Sequence, residues 1–427
     1  MSVERPESRL SFSTLGSCAR GIDSVITRLM AAKLAQPEML SLAAGFTDNG
    51  LLPQELVGEA VAHLAGTEKK AHFQYGMNRG RPGLRNCVID LLKTYPGEAS
   101  LSLSPENILI TNGSQQGLYI LVQMLCDPGD IVLVESPSYF VFLELLKGLG
   151  VKAVSIPMDA EGRIDADGLQ ALIDTYKADG IFDRVKLVYL MGAYANPSTR
   201  CIDESEKAAL AGVLHALERP IPVIEDMAYR ELYFEEPFPA RSLLAMSEWD
   251  DYPVIYAGTF TKPFATGMKV GFIVSRDREC LDTVASIKGH QDFGTAHFPQ
   301  AILEYVLSSG AYSAHLSHIR QAYMKKRDLL ESALEEHGFR DAGWSWQQPR
   351  GGLLLWARGP EGTDTRIGSA FHRICLEKEI LYVPGDLCFA EGSPHGHVRL
   401  SFGALESALI PEAARRFCEA ALAAEKG

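Results

Sequence analysis

At 427 residues, 46% hydrophobic and 22% charged, the chain has an ordinary globular composition and exceeds one average domain, so two lobes are expected. A net charge of −13 argues against nucleic acid as a main partner, because neutralising phosphates takes clustered Lys and Arg. No apolar run approaches the roughly eighteen residues of a membrane span, and the first thirteen residues carry charges where a signal peptide needs an apolar core.

In chain order, an N-terminal arm holds one amphipathic stretch at residues 22–34. From about 55 to 310, β-rich runs alternate with helix-periodic ones. Strands are expected at 107–111, 131–135, 153–157, 185–191, 223–226, 254–257 and 270–275. Helices are expected between most of them, at 115–125, 139–149, 165–176 and 204–217. This alternation predicts an α/β fold with a mostly parallel, seven-stranded sheet covered on both faces. A long helical region at 299–337 then leads to strand (353–357), helix (365–378), strands (380–383, 398–402) and helix (405–423). Eight cysteines are scattered without a C-x-x-C pair, which reads as reduced thiols and a cytoplasmic protein. The close histidine pairs, His315 with His318 and His395 with His397, have no partner at metal-ligand spacing, so no metal is expected.

The most informative stretch is residues 258–272, GTFTKPFATGMKVGF. Lys262 stands among hydroxyl residues, Thr259 and Thr261, and before Pro263, with a second cation, Lys269, seven positions on. Apolar runs on both sides predict strand, tight turn, strand, and the proline biases the lysine toward extended backbone. A desolvated amine near hydroxyls and a cation suits Schiff-base formation with an aldehyde and hydrogen bonding to a phosphate. Taken alone, an ordinary lysine in a surface loop also fits.

Other segments add chemistry. Asp226 ends the apolar run in VIEDMAYREL, at the carboxyl edge where ligands of open α/β sheets bind, and Tyr229 follows three residues later. A helix N-cap with an aromatic in the next turn fits the same letters. TNGSQQGL (111–118) reads as strand, loop, helix, with the amides of Ser114 and Gln115 at a helix N-terminus that favours an anion. Asn196 lies in YANPSTR after a strand, Tyr139 opens a helix in SPSYF, and Arg399 in HVRLSF is a natural fork for a carboxylate. Gly45 in SLAAGF and Tyr75 in FQYGMNRGRPGLR complete the set.

In this order the landmarks resemble the fold-type I, class I/II aminotransferase family over about residues 40–403. The motifs are most similar to its alpha-aminoadipate and kynurenine aminotransferase group. The resemblance implies pyridoxal phosphate bound to Lys262 as a Schiff base, with Asp226 keeping the ring nitrogen protonated. Tyr229 and Asn196 would meet the ring oxygen and Tyr139 the ring face. Ser114, Gln115, Thr259, Thr261 and Lys269 would surround the phosphate, with Tyr75 reaching it from a neighbouring subunit of a homodimer. Arg399 would take the substrate α-carboxylate, beside Gly45 and Asn196. The implied domains are 55–310 for the large cofactor-binding part, and the arm, 1–54, with 311–427 for a smaller α+β part.

Three departures stand out. Threonine replaces the family's serine before the lysine, and Lys269 replaces an arginine, forfeiting a bidentate fork. Thr199 and Arg200 follow Ser198 where the family's NPTG turn has glycine, leaving that turn's backbone geometry open and Arg200 unexplained. The activity implied is exchange of an amino group between an α-amino acid and a 2-oxo acid. The alternative is a lyase, decarboxylase or oxidative, cyclising enzyme with the same cofactor. More remote is a transcriptional regulator with an aminotransferase-like domain, which needs a helix-turn-helix that the arm of about 50 residues leaves no room for.

Overall fold

The computed structural model describes residues 12–19, 27, 31, 36, 38–67, 70–392 and 394–424. The amphipathic stretch expected at 22–34 lies almost wholly outside them. Strand β1 (Leu40–Ser41) stands apart from the next seven. Those are β2 (Ile108–Thr111), β3 (Ile131–Val134), β4 (Lys152–Ser155), β5 (Val185–Met191), β6 (Val223–Asp226), β7 (Val254–Thr259) and β8 (Gly271–Ser275). They form one sheet in the order β2-β8-β7-β6-β5-β3-β4. Pairing is parallel from β7 through β6, β5 and β3 to β4, while β8 runs antiparallel to β7 and β2. No α-helix intervenes between β7 and β8, so the chain returns beside itself and runs antiparallel. Val, Ile and Leu dominate these runs, and β2, β3, β6, β7 and β8 are buried at every position. That is the signature of a sheet covered on both faces. The fold is α/β.

Several expectations need correction. The connection holding Lys262 is not a tight turn: it runs from Phe260 to Val270 and contains a 3-10 turn, Thr266–Met268, and β8 starts at Gly271, one residue after the expected 270. The helical region at 299–337 is two helices, His297–Ser308 and Ala311–Glu336, broken at Gly310, whose φ of 78° no ordinary helix residue adopts. The helix expected from 365 begins only at Ala370, and the one from 405 at Ile410.

The C-terminal part adds an antiparallel sheet. Its strands are β9 (Ser345–Trp346), β10 (Leu354–Arg358), β12 (Val383–Pro384) and β13 (His397–Ser401), in the order β12-β13-β10-β9. The expected strand at 380–383 is split, because β11 (Ile380–Leu381) pairs in parallel with β1 instead. A small apolar cluster of Met39, Ala43, Phe140, Leu381, Val383 and Cys388 packs at that junction. It brings together the segments flanking β1, the start of the helix Phe140–Gly148 and β12, whose Val383 pairs with Arg399 on β13.

Candidate active site

Four consecutive features of the large sheet deliver side chains to one edge. Asp226 is the last residue of β6 and Thr259 the last of β7. Asn196 follows β5, and Tyr139 caps the helix that follows β3. This is the carboxyl edge of the parallel strands, where side chains from several loops converge. On the neighbouring strand, Gly271 faces the start of the helix Gly113–Leu125. A Cβ there would lie 2.5 Å from the backbone of Gly113 and Ser114, so only glycine lets this helix N-terminus approach β8. Gly113 itself has φ 70°, a conformation suited to glycine. The first amides of a helix, here those of Ser114 and Gln115, have no acceptor within it, and both residues line the site. The loop before them is pinned by Asp292, which accepts from Asn112 at 3.2 Å and Gln116 at 2.9 Å.

Asp226 is 2% exposed and is no helix cap. Its Oδ2 accepts from the Tyr189 hydroxyl at 2.9 Å and its Oδ1 from the amide of Ala228 at 3.1 Å. Burial pushes its carboxyl up to about 6. Tyr229, also buried, hydrogen-bonds Asn196, and its phenol is pushed up to about 12 by burial. Lys262 donates from Nζ to the carbonyl of Gly45 at 2.6 Å. Burial, then the nearby Arg399 and Lys269 cations, pull its amine down to about 8. Each effect disfavours the ammonium form. The Thr259 hydroxyl donates to that of Thr261 at 2.8 Å, bracing the loop before the lysine.

Arg399, expected on a strand, is 3% exposed. Its Nη2 donates to the carbonyl of Ala43 at 2.6 Å and its Nη1 to Asn196 Oδ1 at 3.2 Å, while its Nε is buried without a partner. A Cβ at Gly45 would sit 3.8 Å from Arg399, an ordinary contact, so packing does not demand glycine there. The NPST turn answers the missing glycine directly. Thr199 takes φ 60° itself, the left-handed region that a glycine would occupy freely. Arg200 is accounted for by Glu206, whose two carboxylate oxygens accept from its Nη1 at 2.8 and 2.9 Å.

Ten of the expected residues line one chamber of about 140 Å³: Ser114, Gln115, Tyr139, Asn196, Asp226, Tyr229, Thr259, Thr261, Lys262 and Lys269. An adjoining cavity of about 560 Å³ shares Lys262 and adds Gly45 and Arg399. Tyr75 lines neither: it is 78% exposed, its ring against Phe293. Two buried groups escaped the sequence reading. Tyr189 holds Asp226, and its place in a strand whose only other polar residue is Lys186 was the available signal, since a buried tyrosine hydroxyl needs a partner. Glu135 accepts from the amide of Met191 at 2.8 Å and is pushed up to about 8 by burial; nothing in the letters VESPSY marks it.

The residues present fit pyridoxal phosphate. The helix N-terminus, paired hydroxyls and Lys269 suit its phosphate, the buried carboxylate its ring nitrogen, and the half-buried amine its aldehyde. Among the described residues no cluster of His, Cys, Asp and Glu could hold a metal ion, and no helix is long and apolar enough to cross a membrane.

Comparison with known proteins gives the same direction. Residues 37–417 match the family described as aminotransferase class I and II. The chain is 30% identical to the 2-aminoadipate transaminase of Thermus thermophilus, over 95% of this chain and 96% of that protein. It is 29% identical to aromatic-amino-acid aminotransferase 1 of Thermococcus litoralis, over 94% and 92%. The kynurenine aminotransferase of Pyrococcus horikoshii, solved in complex with PMP, superposes with a TM-score of 0.85 at 27% identity, covering 96% of this chain and 97% of that one.

Proposed function

The chain belongs to the class I and II aminotransferases, and from that premise we propose how its own residues carry the reaction. It is a pyridoxal phosphate-dependent transaminase that exchanges an amino group between an amino acid and a 2-oxo acid. When bound, the cofactor supplies an aldehyde for the amine and an electron sink for the substrate's α carbon.

Lys262 is the anchoring amine and, once released, the base that moves the α proton. Its depressed affinity for protons supports both roles, because a neutral amine is the reactive form. Asp226 supplies the negative charge that keeps the ring nitrogen protonated, held in place by Tyr189 and Ala228. Tyr229 and Asn196 orient the ring oxygen, and Tyr139 covers the ring. The amides of Ser114 and Gln115, Thr259, Thr261 and Lys269 bind the phosphate. Arg399 binds the substrate α-carboxylate through its free donors, with Asn196 and Gly45 beside it. The observation that carries the reading is the convergence of Lys262, Asp226 and Arg399 on two adjoining cavities that share Lys262. Mixing the yellow protein with single amino acids tests it. Transamination gives a 2-oxo acid and the amine form of the cofactor; release of ammonia or carbon dioxide would replace it with a lyase or decarboxylase.

The working unit is a homodimer in which Tyr75 completes the neighbour's phosphate site. Supporting this, Tyr75 stands in an exposed apolar group with Phe73, Met77 and Phe293, which are 65%, 63% and 71% exposed. Such a group calls for a covering surface, and closed two-fold pairing is the commonest soluble assembly. Mixing Tyr75→Ala with Lys262→Ala should restore part of the activity, since some mixed dimers regain one intact site. Failure to complement, with subunit exchange shown and each variant inactive alone, would remove Tyr75 from the shared site. The division into 1–54 with 311–427 and 55–310 belongs to the same proposal, supported by the pairing of β1 with β11. A cytoplasmic location is supported by eight cysteines that form no disulfide.

A further inference from the structure

The cavity that adjoins the cofactor chamber has walls of a different character. Among the described residues, the large side chains that line it without also lining the chamber are Phe46, Phe140, Val141 and Leu405, with Arg399 the single charge. Ser41, the other polar side chain there, already accepts from the amide of Ala43 at 3.3 Å. Among the described residues, the cations around the cavity are Lys262, Lys269 and Arg399, and none of its lining residues is Asp or Glu. On the reading above, those cations serve the cofactor and the α-carboxylate, so among the described residues none is left for a second carboxylate, and none offers an acid to a basic side chain.

Burying an unpaired charge in such walls is costly, whereas burying hydrocarbon there is favourable. Phe46 lines the cavity and is 42% exposed, an aromatic face that a bound side chain would cover. The cavity, at about 560 Å³, is roomy enough for a large group.

We propose that the amino-acid substrate carries a large uncharged apolar side chain, aromatic or branched aliphatic, and that Phe46 is a determinant of that preference. This rests on the transaminase reading and names its substrate class. The half-reaction balances within the holoenzyme. The amino acid's Cα–N bond breaks and Cα is oxidised to a ketone. The cofactor is reduced to its amine form as Lys262 is freed from it, with one water consumed and none released.

The test is single turnover of the purified holoenzyme with phenylalanine, leucine, glutamate and lysine, each followed by loss of the aldehyde-form absorbance and by the 2-oxo acid formed. Phenylalanine and leucine should exceed glutamate and lysine by on the order of 100-fold in rate over half-saturation. Equal or better conversion of glutamate or lysine would overturn the proposal while leaving the transaminase standing. Conversion of none of a full amino-acid panel would overturn both. Phe46→Arg, checked for unchanged cofactor absorbance, should lower the phenylalanine-to-glutamate ratio by about tenfold or more, as expected when a cation meets a side-chain carboxylate. An unchanged ratio would refute the role of Phe46.

Discussion

Replacing Asp226 with asparagine separates its charge from its shape. The wild-type carboxylate is 2% exposed and accepts two hydrogen bonds, from Tyr189 and Ala228. Asparagine can still accept from Ala228 through its carbonyl and donate to the Tyr189 oxygen through its amide. The fold should therefore change by no more than about 1 kcal/mol, the net worth of one neutral hydrogen bond. What disappears is the negative charge facing the ring nitrogen. Breaking a buried charge pair costs about 3–5 kcal/mol. At about 1.4 kcal/mol per tenfold, this is a loss of roughly 10² to 10⁴ in turnover. The assay is a thermal melt, a cofactor content from absorbance, and single-turnover rates on the same preparation. Turnover within about threefold of wild type, with cofactor bound and the melt unchanged, would refute the argument.

Two further outcomes follow from groups around the site. Glu225 in β6 and Lys207 in the helix Glu204–His215 are each 1% exposed and 2.8 Å apart. Lys207→Met therefore leaves a buried carboxylate without its counter-charge, only the Leu243 amide still donating to it, and should cost about 3–5 kcal/mol in urea unfolding. A loss below about 1 kcal/mol would mean that Glu225 finds another partner or takes up a proton. The Lys262 amine, pulled down from 10.5 to about 8, is neutral above that pH rather than above 10. Capture of added pyridoxal phosphate by cofactor-free protein should accelerate as pH rises and level off above about 8 to 9. An acceleration continuing through pH 10 would indicate an ordinary lysine.

How far the letters carried this account varies by element. β5 and β6 were legible to the residue, because short β-rich runs bounded by turn residues have one sensible reading even with Lys186 and Glu225 inside them. Asp226 followed from that reading, since the end of β6 places it at the ligand edge. The break at Gly310 was obscured because helical periodicity continues on both sides of it. Thr199 shows the opposite limit: its letter suggested that the turn had lost its glycine geometry, yet the chain holds a threonine in the left-handed region. The bond from Lys262 to Gly45 joins residues 217 positions apart, and local pattern cannot foresee which distant carbonyl meets an amine. Arg200 remained unexplained for a similar reason, although its partner, Glu206, lies only six residues on. Pairing across a turn depends on where the following helix begins.

The most direct test of the central claim is the covalent address of the cofactor. Holoenzyme reduced with borohydride, digested and mapped by mass spectrometry should carry the pyridoxyl group on Lys262, in the peptide containing GTFTKPF. Its yellow absorbance should be lost in proportion. A pyridoxyl group on Lys269 or on any other lysine, or none at all in protein that retains turnover, would contradict the account.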